Sequence, residues 1–191
     1  MNTTSLKYSA IGLMLVLAFI AIVNPAYAAP GDPTIFWVGG SGDWNTPSNW
    51  NTGLLPGPND DVLIDRPGIS ITVTHSSGSH VVSSLLSQGA FVLSGGSLTV
   101  TNTVQVNAAF TLSGGTLKGA MVLQGTNGLG IKGTTVGGTL DAVTVNGDLD
   151  LTGNNVSVTV VNGLTLNGTA TIGATGGVWS RRCVWADAPG G

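Results

Sequence analysis

The sequence predicts an all-β chain folded as a right-handed parallel β-helix, a solenoid whose N-terminal end is closed by a cap rich in tryptophan and glycine. Three observations predict it. The phrase Phe-Val-Leu-Ser-Gly-Gly-Ser-Leu at 91–98 returns as Phe-Thr-Leu-Ser-Gly-Gly-Thr-Leu at 110–117, an offset of about 19 residues, close to the periods of stacked repeats. Within each copy the apolar residues recur with period two, which is the geometry of a strand and not of a helix. The composition agrees: charged residues make up 8% of the chain, against about 25% in ordinary globular domains. All nine acidic residues are Asp, and there are 30 Gly. A chain dominated by Gly, Thr, Val, Asn and Ser makes strands and turns.

Taken in order, residues 1–28 read as a secretory signal peptide. Lys7 supplies a weakly basic start, 11–23 is an unbroken apolar run, Asn24-Pro25 interrupts it, and Ala26-Tyr27-Ala28 gives the small-x-small pattern of a cleavage site before Ala29. A membrane anchor needs about 20 apolar residues, more than this run provides. The expected destination is export, to the extracellular space or the cell surface, with membrane contact only through the signal before cleavage. The net charge of −3 is mild, and Arg181-Arg182 is the single basic pair, which excludes nucleic acid as the expected partner. Cys183 stands alone, so no internal disulfide is available. Stability has to come from stacked strands and apolar burial.

Residues 29–65 form the expected cap and first strand. Trp37, Trp44 and Trp50 fall within one short stretch, separated by Gly, Pro and Asn residues that enforce turns. The end of a solenoid exposes unpaired backbone and apolar core, and large aromatic side chains can close it. The same three rings, set among Asp and Asn, also form a candidate carbohydrate site with indole faces as platforms for sugar rings. Asp60, Asp61 and Asp65 are expected to cap turns, and apolar alternation is expected to begin after Asp61 and to continue through Ile69, Ile71 and Val73.

The pattern Trp37-x-Gly39-Gly40-x-Gly42-x-Trp44, Asn49-Trp50, Gly53, Pro56-Gly57, Asp60-Asp61-Val62-x-Ile64 resembles the opening of large secreted bacterial β-helix proteins, adhesin-like or autotransporter-passenger-like. Its last part is also similar to the start of G8-type extracellular domains. The resemblance covers roughly 30 residues, together with a generic strand repeat over most of the remainder. It implies an N-terminal cap and a secreted or surface role, and it carries over no catalytic residue.

Residues 66–177 are the expected coils. Strand candidates are 91–93, 98–100, 104–106, 110–112, Leu117 and 121–123. A Gly-rich interruption follows, and then Leu140, 143–145, 149–151, 156–160, 164–166 and 170–172. Three strands per coil account for the spacing, with corners at Gly, Asn or Ser. A second phrase, Val145-Asn146-Gly147, returns as Val161-Asn162-Gly163 and predicts a further coil offset of about 16 residues. Thr99, Thr101, Thr111, Thr144, Thr159 and Thr165 are expected on outer faces. The stretch 178–191, with Trp179, Cys183 and Trp185, abandons the alternation and is expected to be an irregular tail.

Three constellations bear on chemistry. Residues 128–133 match Gly-x-Gly-x-x-Gly, but 134–138 cannot form the helix that a dinucleotide site needs, so a loop is expected there. Asp148 and Asp150 flank Leu149, which puts both carboxylates outside, roughly 7 Å apart along one strand. That pair is a candidate Ca²⁺ ligand set or a hydrolytic pair, with Asp141 as a third carboxylate from the adjacent coil, although a solvated outer face explains it as well. His75 and His80, in the Ser- and Gly-rich stretch 74–80, lack an evident further metal ligand and are expected in a solvent-exposed loop. No Gly-x-Ser-x-Gly elbow is present and Cys183 has no neighbouring His. The expected function is a non-enzymatic, exported surface β-helix that meets cell-surface glycans or host and matrix proteins and needs no cofactor. The alternative is a carbohydrate-binding or polysaccharide-cleaving module built on Trp37, Trp44 and Trp50.

Overall fold

The computed structural model describes residues 32–173 of the 191-residue chain. The predicted signal peptide 1–28 and the tail 178–191 lie outside the described residues. The described residues are all-β apart from one 3-10 turn, Pro47–Asn49, and their parallel strands stack as a β-solenoid of about six turns. In chain order the strands are β1 (Ile35–Phe36), β2 (Gly42–Asp43) and β3 (Asp61–Ile64). The next two turns hold β4 (Thr72–His75), β5 (Ser79–Val82) and β6 (Ser84–Ser87), then β7 (Ala90–Leu93), β8 (Ser97–Val100) and β9 (Thr103–Val106). Above these come β10 (Phe110–Leu112), β11 (Thr116–Lys118) and β12 (Met121–Leu123). The last are β13 (Ile131–Gly133), β14 (Thr139–Asn146), β15 (Leu149–Leu151), β16 (Thr159–Leu166) and β17 (Ala170–Ile172).

Each full turn gives one strand to each of three walls. Wall A is β2-β4-β7-β10-β13-β15-β17. Wall B is β5-β8-β11, continued by the first halves of β14 and β16, and wall C is β1-β3-β6-β9-β12, continued by their second halves. The cap segment is not separate from the walls, since β1 pairs with β3 and β2 with β4.

The phrase repeat sets the register. Phe110 lies on Phe91, Leu112 on Leu93 and Leu117 on Leu98. Inside, this produces columns of like residues. Val73, Phe91, Phe110, Ile131 and Leu149 line wall A, Leu98, Leu117 and Leu140 line wall B, and Val62, Leu85, Val104, Val122 and Val145 line wall C, all buried. Each such side chain contributes about 1.5–3 kcal/mol on leaving water, and because the columns are shared between turns, no turn is stable by itself. The Thr residues expected outside are all half-buried or exposed.

Four expectations are corrected. The Val-Asn-Gly phrase does not mark the stacking offset: Val145 pairs with Leu166, and Val161 pairs with Asp141. Val145 is buried on wall C whereas Val161 is exposed on wall B, so the phrase recurs on different walls and faces. The bulge between Asp141 and Val143, where Asn162 and Gly163 oppose the single residue Ala142, moves the offset only from 20 to 21 residues. The Gly-rich interruption is not only a loop, because Ile131–Gly133 forms β13 and Ile131 is buried between Phe110 and Leu149. Gly133 takes the rung above Leu112, and a Cβ there would stand 2.6 Å from Leu151 Cδ2 and 2.9 Å from Val156 Cγ1. The leucine column is interrupted at this turn because neighbouring side chains already fill it. Ile69 is 58% exposed, so the inward alternation that begins with Val62 and Ile64 in β3 skips it and resumes at Ile71. Residues 156–160 are not one strand: Val156 and Val158 pack on the core from an irregular segment, and β16 starts at Thr159.

Candidate functional site

The segment 36–50 is built to bring three indoles together. Trp37 and Trp50 sit opposite each other in an antiparallel bridge closed by their neighbours, Val38 N–H donating to the Asn49 carbonyl and Asn51 N–H to the Phe36 carbonyl. The turn at Pro47–Asn49 reverses the chain, and Asn49 Nδ2 donates to the Asp43 carbonyl at 3.3 Å. Phe36 N–H donates to Asn51 Oδ1 at 2.8 Å. Trp37 and Trp50 then meet edge to face with ring centroids 4.8 Å apart, as do Trp44 and Trp50, the arrangement that the quadrupoles of aromatic rings favour. Trp37 Nε1–H donates to the Gly40 carbonyl and Trp50 Nε1–H to the Trp44 carbonyl, both at 2.9 Å. Trp44 Nε1 is buried without a hydrogen-bond partner.

Relative exposures of Trp37, Trp44 and Trp50 are 1%, 0% and 2%. Stacking on a sugar needs an open ring face, and these rings have none, so the expectation of indole platforms does not hold for this packing. The rings close the end of the core. Trp44 N–H donates to the Thr74 carbonyl at 2.8 Å, which sets the ring over wall A, 6.0 Å from Phe91, and Phe91 in turn packs on Phe110 at 5.7 Å.

Under Trp44 lie the two histidines, and here the loop expectation is overturned. His75 is the last residue of β4, pairs with Leu93 and is 0% exposed. His80 belongs to β5 and pairs with Leu98. His75 Nδ1–H donates to the Gly95 carbonyl at 2.9 Å, and His75 Nε2 lies 2.9 Å from His80 Nδ1. With Nδ1 of His75 already a donor, Nε2 of the neutral ring is an acceptor, so His80 Nδ1–H is the donor of the second bond. Burial holds the His75 ring below the ordinary histidine range, the neighbouring His80 pushes it the same way, and the Gly95 carbonyl opposes both. His80 is also lowered by burial, against the field of Asp43. The alternation Ile71, Val73, His75 pointed inward in the sequence, but Ser76-Ser77-Gly78 after it reads as loop and hides the signal.

The acidic candidates are each engaged by different partners. Asp148 Oδ1 accepts the Thr169 N–H at 2.9 Å. Asp150 Oδ1 accepts the N–H and hydroxyl of Thr152 at 2.9 and 2.6 Å, bonds that hold its carboxyl below the usual range. Asp141 lies on wall B, 3.4 Å from Lys118 Nζ and 2.6 Å from Asn162 Nδ2. Among the described residues no group of three or more His, Cys or Asp side chains is arranged to hold a metal ion. Asp60 accepts the Gly57 N–H and the Thr34 hydroxyl, and Asp61 accepts from Ser84.

The chain matches no family model, no curated protein and no solved structure.

One surface feature escaped the sequence reading. Outside wall C, stacking aligns Phe36, Leu63, Leu86, Gln105, Leu123 and Asn146 in one outward column. Phe36 is 43% exposed and the three leucines are half-buried. Beside it, Thr103, Met121, Thr144 and Thr165 form a second outward column, with Asp61 and Ser84 below. Asp61 is the one charged side chain in either column. At the corner leaving wall C, a shallow groove of about 380 Å³ is lined by Asp65, Arg66, Ile69, Gln88 and neighbouring residues.

Proposed function

We propose that this chain is a non-enzymatic, exported surface module of the adhesin or passenger kind, and that it contacts neutral glycans through the outer face of wall C. The outward column from Phe36 to Asn146 carries the reading. Rungs of a parallel sheet repeat about every 4.8 Å, so the column is a flat strip more than 20 Å long. Phe36, Leu63 and Leu86 offer apolar contact to the C–H faces of sugar rings. Gln105, Asn146, Thr103 and Thr144 offer amides and hydroxyls to sugar hydroxyl groups. Neither column contains a Lys or Arg, so a polyanionic partner finds no counter-charge there. The exported destination rests on the signal pattern in 1–28, and the lack of catalytic work rests on Asp148, Asp150 and Asp141 each being engaged separately.

A glycan array probed with the full secreted chain tests this. Binding to neutral glycans that resists added salt and falls at least tenfold in Leu86→Thr/Leu123→Thr, with the melting temperature kept, supports the proposal. Binding confined to acidic glycans, or unchanged in the double variant, removes wall C from consideration. Release of reducing ends from the bound glycan would put the polysaccharide-cleaving alternative first.

A further inference from the structure

His75 occupies a position that the next two turns give to Leu93 and Leu112. A titratable ring thus stands in the apolar column directly beneath the cap, 5.9 Å from Trp44, and the His80 ring lies 6.5 Å from the same indole. Trp44 is held there by its backbone bond to Thr74 and by packing, since its Nε1–H has no acceptor.

The hydrogen bonds decide where protons can go. In the neutral pair, the Gly95 carbonyl accepts from His75 Nδ1–H and His75 Nε2 accepts from His80 Nδ1–H. The one lone pair left is on His80 Nε2. A first proton taken up there leaves both hydrogen bonds standing. A second proton has only His75 Nε2 to occupy, where one N–H would face another inside a site that excludes water. The charged groups that act on the pair are Asp43 on β2, which favours protonation of both rings, and His80, which opposes protonation of His75. Leu93 and Gly95 after β7, and Leu98 on β8, do not titrate.

We infer that the His75–His80 pair is an acid-operated latch on the N-terminal cap, in which one proton is tolerated and the second parts the rings and lifts Trp44 from wall A. The inference stands independently of the glycan reading. Its pH window follows from linkage. Both rings titrate below their ordinary value of about 6.5 when folded, so the folded state binds fewer protons than the unfolded chain. The latch is fully closed above about pH 6.5 and weakens as the pH falls below that value and through the folded values.

The test follows Trp emission and far-UV circular dichroism of the full chain between about pH 8 and pH 4. The expected result is a reversible red shift of the emission below about pH 6, ahead of the loss of strand signal. His75→Leu restores the residue of the adjacent rungs and should abolish that shift and narrow the gap between the melting temperatures at pH 5 and pH 7.5, leaving the part that belongs to His80. His80→Gln keeps a donor for His75 Nε2, and its amide oxygen can turn to accept from a protonated His75, so the shift should weaken and move to lower pH. A wild-type emission that stays constant over this range overturns the latch. So does a shift that survives unchanged in His75→Leu, or in His80→Gln if the leucine variant does not fold, because the response would then belong to the carboxylates.

Discussion

Leu112 and Thr111 are neighbours with opposite surroundings. Leu112 is fully buried between Leu93 and Gly133, whereas Thr111 faces out between Val92 and Lys132. Leu112→Asp puts a carboxylate where it has neither water nor a partner, so it must protonate or open the turn, at an expected cost of about 4 kcal/mol or more once the lost packing is included. Thr111→Asp brings a carboxylate beside the Lys132 ammonium on a wetted surface, and its expected effect stays within about 0.5 kcal/mol. Urea melts of both variants check the register, because a slip of one residue exchanges the two faces. At this scale the sequence was informative wherever a residue belonged to the period-two pattern. It was silent on the indoles: Trp37, Trp44 and Trp50 have the same composition around them whether the rings are covered or open, and only the bridge between Trp37 and Trp50 folds their faces inward.

Elements were legible in proportion to how closely they copy their neighbours. β7 and β10 share a phrase and were readable, with their register, from that phrase alone. β13 was hidden because Gly133 replaces the leucine of that rung, a substitution forced by Leu151 and Val156 in the turn above. The Val-Asn-Gly phrase misleads because its copies sit on different walls and faces, Val145 buried on wall C and Val161 exposed opposite Asp141 on wall B. β14 also carries a one-residue bulge against β16. That bulge contains Ala142 at φ 52°, opposite Asn162 at φ 54° and Gly163 at φ 93°. The left-handed region costs an alanine about 1–2 kcal/mol, while glycine adopts it freely and loses part of the gain to the entropy of the unfolded chain. Ala142 is exposed, so no packing is lost on its removal. Ala142→Gly is therefore expected to stabilise the protein by about 0.5–1 kcal/mol, seen as a higher urea midpoint with an unchanged slope. A lower midpoint would mean that the corner is held in this conformation by something other than its own backbone.

The whole molecule is a one-dimensional stack, which explains why its architecture is legible and its contacts are not. Stacking requires inward residues to match from turn to turn, and that requirement writes the repeat. Outward residues need only suit a half-exposed strand, so the apolar column on wall C carries no period of its own and emerged only once the register was known. The same one-dimensionality makes stability local, a sum of turns and of the interfaces between them. The turns are unequal. Wall A between β4 and β10 is closed by Trp44 and packed through Phe91 and Phe110. At the other end of the described residues Leu164, Leu166 and Ala170 are only half-buried, and Val161 and Ile172 are exposed. Amide protection should therefore fall along the stack, since opening free energies track the buried apolar contacts of each unit. Hydrogen exchange followed by mass spectrometry should find peptides over β16 and β17 exchanging at least a hundredfold faster than those over β7 and β10, a difference of about 2.7 kcal/mol in opening free energy. Leu112→Ala should speed exchange most in the turns that touch it, β7 to β9 and β13, and least at Trp37 and Trp50. Uniform exchange across the stack, or uniform acceleration by Leu112→Ala, would show that the turns open together, and then the loss of one rung would be felt equally at the cap.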